Sequence, residues 1–205
     1  MTTEIACYSK VATNRKVIAL TFDDGPHPSN TPELLRVLWC HQVKATFYIL
    51  GAEAEKHPEV LKSVSEQGHE IGNHTYSHPY MTQISDTEKY QEVDRAEHAI
   101  KKVIGRKPLT LRPPYLDYDD SVLKTASTFG YPVINGYGTD DWAAPGTDHI
   151  VELIRKQVCN GAIIICHDGG GERSQTVEAC AIVIPELITQ GYEFVTISEL
   201  LALTT

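Results

Sequence analysis

Long apolar runs are missing from this 205-residue chain. No stretch reaches the roughly 18 residues that a membrane-spanning helix needs, so no membrane span is expected. The opening MTTEIACYSK lacks the basic-then-apolar layout of a secretory leader, which leaves either an intracellular protein or one whose leader lies outside this sequence. Positive charge is in deficit: 18 Lys and Arg face 27 Asp and Glu, a formal net charge of −9. Without a basic patch to neutralise phosphates, nucleic acid and anionic membranes are not expected as partners, and a neutral or cationic ligand fits better. Cysteine is scarce and badly spaced for chemistry. The five residues Cys7, Cys40, Cys159, Cys166 and Cys180 are odd in number and contain no CxxC, so buried free thiols are expected rather than a disulfide framework or a thiolate zinc site. Linkers, low-complexity tracts and repeats are lacking too, so one domain over residues 1–205 is expected. With 41% hydrophobic and 22% charged residues, the composition is that of an ordinary globular protein and excludes general disorder.

What the chain does have is a recurring alternation. Three short apolar runs, at 17–22, 45–50 and 162–166, are continuous rather than alternating, as in parallel strands covered on both faces. The segments between them carry helical signals. Residues 31–41 begin with Thr31-Pro32 and present Leu34, Leu35, Val37 and Leu38 as an apolar stripe, and 58–67 opens on Pro58 and closes at Gly68. Further helices are predicted over 85–104, stopped by Gly105, and over 119–129, 147–158 and 174–189. Strand followed by helix every 25–30 residues or so predicts an α/β domain, either a small barrel or a doubly wound open sheet.

The unusual polar clusters fall just after predicted strands. Asp23-Asp24-Gly25-Pro26 follows the first run, His74 and His78 follow Glu70-Ile71-Gly72-Asn73, and Arg112-Pro113-Pro114-Tyr115 follows 109–111. Asp140-Asp141-Trp142 follows Val133-Ile134, and His167-Asp168 follows the third run. The carboxyl ends of the strands are where α/β folds bind ligands, so these clusters are expected to converge. In an extended strand Asp23 and Asp24 point to opposite sides and can do different jobs. His74 and His78, at i and i+4, share a face on a helical turn and can grip one ion, although such pairs also arise by chance. Adding Asp24 makes a two-histidine, one-carboxylate set with open positions, which suits hydrolytic zinc and equally a non-haem iron oxygenase. His167 is a candidate general acid tuned by a neighbouring carboxylate. Arg112 is a candidate bidentate clamp on a catalytic carboxylate, and Trp142 either walls a small apolar pocket or belongs to the core. His27, His41, His57, His69, His98 and His149 read as surface or loop residues.

These motifs, taken together, resemble the polysaccharide deacetylases of carbohydrate esterase family 4. TFDDGP at 21–26, HTYSH at 74–78, RPPY at 112–115, TDDW at 139–142 and ICHD at 165–168 occur in that family's order, and the resemblance extends over about 17–200. It implies an α/β fold, a distorted (β/α) barrel of about seven or eight parallel strands. It also implies Asp23 as general base, Asp24, His74 and His78 as metal ligands, and Arg112 as the residue orienting Asp23. The backbone N–H of Tyr115 would help stabilise the oxyanion, Asp141 would tune His167 as general acid, and Trp142 and Ile165 would line the acetyl pocket. The implied cofactor is a divalent metal, zinc by default with cobalt or nickel as substitutes. The implied substrate is a β-1,4-linked N-acetylglucosamine polymer or oligomer, chitin or peptidoglycan, and the implied location is extracellular or in the cell envelope. Two positions depart from the family pattern: Gly138 stands where an aspartate is usual, and Ile165 where leucine is usual. An O-acetyl xylan esterase on the same fold and a non-catalytic sugar-binding homologue remain the alternatives.

Overall fold

A computed structural model describes residues 7–203. Its centre is β2 (Val17–Gly25), flanked by β3 (Thr46–Ile49) and β7 (Ala162–His167), all parallel. The expected apolar runs thus form the middle of one sheet, and their near-continuous burial follows from being covered on both faces. Beyond β3 lies β4 (Glu70–Asn73), and beyond β7 lies β6 (Tyr137–Gly138). The short β8 (Glu193–Phe194) pairs with the start of β2. Past β4, parallel bridges run from Asn73 to Leu111 and from Leu111 to Val133. They lead to β5 (Val133–Ile134), which pairs with β1 (Cys7–Tyr8). Eight strands in parallel ladders agree with the expected barrel count, but the circuit is open: among the described residues no ladder joins β5 to β6. Arg112 reaches across there instead, its Nε donating to the Ile134 carbonyl and its Nη2 to that of Asn135.

The predicted helices are observed to within a residue: α1 (Asn30–Cys40), α3 (Pro58–Glu66), α4 (Asp86–Ile104), α5 (Asp120–Phe129), α6 (Thr147–Gln157) and α7 (Ser174–Thr189). A reciprocal cap between Ser85 and Glu88 starts α4, and Gly105 ends it at φ 73°. Two short helices, α2 (Gly51–Lys56) and α8 (Ile197–Leu201), and strands β1, β6 and β8 have no counterpart in the sequence reading. Each is too short to show a period. On β2 the side chains divide in the strand's twofold alternation. Ile18, Leu20 and Phe22 pack in the cluster that includes Leu34 and Leu38 of α1 and Val183, Ile184 and Leu187 of α7. Val17 and Ala19 face the other way, with Tyr48, Ile134 and Ile163, against Ile197 and Leu200 of α8. Asp23 continues the parity of Val17, Ala19 and Thr21, so it projects into the same interior near the strand's carboxyl end.

The cysteines match expectation only in part. All five are free, but only Cys166 and Cys180 are buried, whereas Cys7 and Cys159 are intermediate and Cys40 is exposed. His69 also departs from its surface reading: it is buried, and its Nδ1 accepts the Ala45 amide at 3.2 Å. Burial drives its pKa down to about 4, with the Lys44 charge adding to the effect.

Candidate active site

The clusters converge as expected. Asp23, Asp24, His74, His78, Tyr115, Trp142, Ile165 and His167 all line one cavity of about 440 Å³ at the carboxyl ends of the strands. A larger hollow of about 630 Å³ lies around Trp39, between α1 and α3, but the one cluster of potential metal ligands found among the described residues is in the smaller cavity.

Asp23 and Asp24 do not take opposite sides. The ladder between β2 and β3 shifts register between Asp23 and Gly25, and Asp24 sits in the left-handed region at φ 70°. This bulge cancels the strand alternation and turns both carboxylates toward the histidines: His74 Nε2 lies 3.4 Å from Asp24 Oδ1 and 4.0 Å from Asp23 Oδ2. His74 and His78 are not on a helix either. They belong to an irregular segment after β4 in which Thr75 (φ 69°) and His78 (φ 67°) are left-handed. Glu92 of α4 pins that segment, accepting the amides of Tyr76 and Ser77 at 2.9 and 2.8 Å and the Ser77 hydroxyl at 2.8 Å. The four-residue spacing therefore works through a loop rather than a helical turn.

The resulting triad is suited to a cation. The buried His74 has Nδ1 2.8 Å from the Arg112 carbonyl, which can only accept, so Nδ1 donates there and Nε2 is the ring nitrogen turned toward Asp24. His78 Nε2 is 3.2 Å from the same Asp24 Oδ1. Two atoms each about 2.0–2.1 Å from one ion at a tetrahedral angle stand about 3.3 Å apart, so these separations fit a shared ion. Asp24 Oδ1 is buried and has no hydrogen-bond partner, an orphan acceptor that an ion would satisfy. Burial opposes the ionisation of Asp24, yet the two imidazoles hold it well below the usual carboxylate range.

Asp23 is held from behind. Arg112, fully buried, donates from Nη1 to Asp23 Oδ1 at 2.7 Å and to Thr21 Oγ1 at 2.7 Å, and its guanidinium lies 4.1 Å above the Tyr48 ring. The expected bidentate clamp is thus a single contact, because the other guanidinium nitrogens are engaged by the Ile134 and Asn135 carbonyls. That arrangement leaves Asp23 Oδ2 as the oxygen nearer to His74.

His167, opposite Asp23 in the β2–β7 register, is oriented by Asp141. Asp141 Oδ1 is 2.7 Å from His167 Nδ1, and its Oδ2 accepts the His167 amide at 2.7 Å and the Thr176 hydroxyl at 2.8 Å. Burial disfavours the charged ring, but the Asp141 carboxylate outweighs it and, with Asp23 and Asp24 adding, raises the His167 pKa to about 9. Burial works against the ionised Asp141 as well, and the hydrogen bond from His167 nevertheless lowers its pKa. The carboxylate tuning His167 is therefore the remote Asp141 and not the adjacent Asp168, which turns toward α1. Burial pushes Asp168 up to about 7 against the Thr31 hydroxyl bond, with Asp24 and Asp23 adding to the rise.

The rim is aromatic. Trp142 is 64% exposed, which excludes the core reading. Tyr115 sits at φ 57° in the turn Pro114–Leu116, its ring 4.5 Å from that of His78. Tyr80, which the sequence reading missed, stacks on Tyr115 at 3.9 Å and 11° and lines the same cavity; its place two residues after His78 was the one available signal. At Gly138 a Cβ would meet nothing within 4 Å, so the missing aspartate leaves open space.

Residues 10–134 match the family model described as polysaccharide deacetylase. A peptidoglycan-N-acetylglucosamine deacetylase from Bacillus cereus is 43% identical over 195 residues, covering 94% of this chain and 91% of that protein. A chitooligosaccharide deacetylase from Bradyrhizobium sp. is 38% identical, covering 91% and 90%. Among solved structures, a peptidoglycan N-acetylglucosamine deacetylase in complex with an N-oxidanyl-benzamide superposes with a TM-score of 0.91 at 34% identity, over 95% of this chain and 92% of that one. With the matched model covering well over half the chain and the relatives nearly all of it, this protein belongs to the polysaccharide deacetylase family.

Proposed function

We propose that the protein is a metal-dependent hydrolase that removes N-acetyl groups from N-acetylglucosamine units, with peptidoglycan strands as the polymer. One observation carries the reading: a carboxylate backed by a buried arginine (Asp23–Arg112) and an imidazole backed by a buried carboxylate (His167–Asp141) both border a triad able to hold an ion. The similarity to the Bacillus cereus peptidoglycan deacetylase favours that polymer, and the chitooligosaccharide relative supports short N-acetylglucosamine chains as a second substrate. Peptidoglycan lies outside the cytoplasm, so the proposed site of action is the cell envelope.

Asp24 Oδ1, His74 Nε2 and His78 Nε2 would hold the ion, with zinc as the proposed metal and cobalt or nickel as substitutes. When bound it supplies a Lewis acid for the amide oxygen and makes water a better nucleophile. Asp23, oriented by Arg112, takes a proton from the attacking water as its oxygen bonds to the acetyl carbon. Negative charge grows on the former carbonyl oxygen, and the Tyr115 N–H, at the start of a tight turn where amides lack internal partners, donates to it. His167, charged at neutral pH, protonates the nitrogen from Nε2 as the carbon–nitrogen bond breaks, so acetate and a free amine leave. Trp142 and Ile165 bound the space for the acetyl methyl group. The test is acetate release from peptidoglycan fragments, chitooligosaccharides and acetylxylan, before chelation, after it, and after zinc is restored. Metal-restored release from the first two supports the proposal. Release from acetylxylan alone, or from nothing, overturns it.

A further inference from the structure

One buried acid at this site has no part in the chemistry above. Asp168 is 1% exposed, its Oδ2 accepts from the Thr31 hydroxyl, and its Oδ1 is buried without a partner. Thr31 in turn accepts the His27 amide at 2.8 Å. The Asp168 amide donates to the Asp23 carbonyl at 3.1 Å, and the Asp168 carbonyl accepts from Asn30 Nδ2 at 3.1 Å. A Cβ on Gly25 would fall 2.5 Å from both Asp168 carboxylate oxygens, so the carboxylate fills the space that glycine leaves. The next residue acts in the same sense: a Cβ on Gly169 would lie 2.0 Å from the Asp24 carbonyl oxygen, and the Gly169 amide donates to the Asp23 carbonyl at 3.2 Å.

These contacts surround a backbone that needs support. Asp24 joins the triad only because it is left-handed, a conformation that is sterically costly outside glycine and persists only where its surroundings hold it. Asp168 is wedged against Gly25, the residue after Asp24, and is tethered to Thr31 in the first turn of α1, while its own amide donates to the carbonyl of Asp23, the residue before Asp24. A buried carboxyl with an unused oxygen is a poor filler for a space that an apolar side chain could occupy. We propose that Asp168 is a positioning residue: held between Thr31 and Gly25, it keeps the Asp24 bulge in its left-handed turn and sets His167 in register with Asp23. This role rests on the reading of Asp24 as an ion ligand and His167 as the acid.

The test compares Asp168→Ala, Asp168→Asn, Thr31→Val and Thr31→Ser in the full chain. Readouts are kcat and KM on a chitooligosaccharide, cobalt affinity by chelator competition, and the visible spectrum of the cobalt-loaded protein. Asp168→Ala and Thr31→Val should each lower kcat and cobalt affinity by about tenfold or more and alter the cobalt spectrum, with KM changed less than about twofold. Asp168→Asn and Thr31→Ser, which preserve the hydrogen bond and nearly the shape, should restore both quantities to within about threefold of wild type. Asp168→Ala with a native near-ultraviolet dichroism spectrum and wild-type kcat and cobalt affinity overturns the proposal, as does Asp168→Asn failing as badly as Asp168→Ala. If Asp168→Ala does not fold, Thr31→Val decides by the same criteria. Absence of metal-dependent turnover in the unsubstituted protein overturns the underlying function instead, whatever the variants do.

Discussion

Replacing Asp141 with asparagine gives the sharpest test of the acid. Asp141 is 2% exposed and bonds His167 twice, through Nδ1 and through the backbone amide. Asparagine retains the shape and one acceptor oxygen but removes the charge, and its NH2 takes the place of the other oxygen, a loss of fit that does not vary with pH. The His167 pKa of about 9 lies well above the ordinary 6.5, a preference for imidazolium worth roughly 3 kcal/mol at about 1.4 kcal/mol per tenfold. Because the active form of a general acid is protonated, its activity is complete below this pKa and is lost as pH rises through it. With the pKa near 9, about 90% of His167 is protonated at pH 8, and with the charge removed and the pKa back at about 6.5, about 3% is. Titration therefore makes the expected loss of kcat in Asp141→Asn about 20-fold greater at pH 8 than at pH 6. A bound cation would offset the share that Asp23 and Asp24 contribute, which lowers both alkaline limbs and preserves their order. The assay is initial-rate acetate release over pH 5.5–9.5 or so on a saturating oligosaccharide. Equal losses at pH 6 and pH 8 would refute the assignment, since a purely structural defect does not follow the protonation of one group.

Other consequences follow from the same geometry. Chelation should abolish acetate release, and zinc at about 100 times its Kd should add about 2.7 kcal/mol of stability, seen as a rise of roughly 5–10 °C in Tm by scanning calorimetry. His78→Ala should lose that thermal response along with about 100-fold or more of kcat at stoichiometric zinc, measured by titrating metal into the apoprotein. Arg112→Met strands the buried Asp23 carboxylate and should cost about 3–5 kcal/mol in urea unfolding, and Arg112→Lys should not restore activity because the guanidinium serves Asp23, Thr21, Ile134 and Asn135 at once. Trp142→Ala, at a mostly exposed position, should change stability by less than about 0.5 kcal/mol while raising KM several-fold in steady-state kinetics.

Several of the longer helices were legible from their boundaries, with Gly105 closing α4 and Pro58 opening α3. The pieces of two residues, such as Cys7–Tyr8 and Glu193–Phe194, were not, since two residues carry no period and their pairing partners are distant in sequence. Candidate residues were chosen by type and by position after a strand, and Asp23, Asp24, His74, His78 and His167 all line one cavity. The geometry attached to them fared worse. The helical face assigned to His74 and His78 and the opposed faces assigned to Asp23 and Asp24 both assume regular backbone, and the structure places left-handed residues at Asp24, Thr75 and His78.

The amino-acid sequence by itself determined which groups meet at the cavity, because a parallel α/β order brings the carboxyl ends of successive strands to one end of the sheet. Only the tertiary structure decided how they meet. The register shift and left-handed turn that bring Asp24 beside His74 and His78, and the single guanidinium nitrogen by which Arg112 holds Asp23, appear only in the folded chain. Such pairings depend on strand register and on loop conformations held by long-range contacts, and no local pattern of residues encodes them.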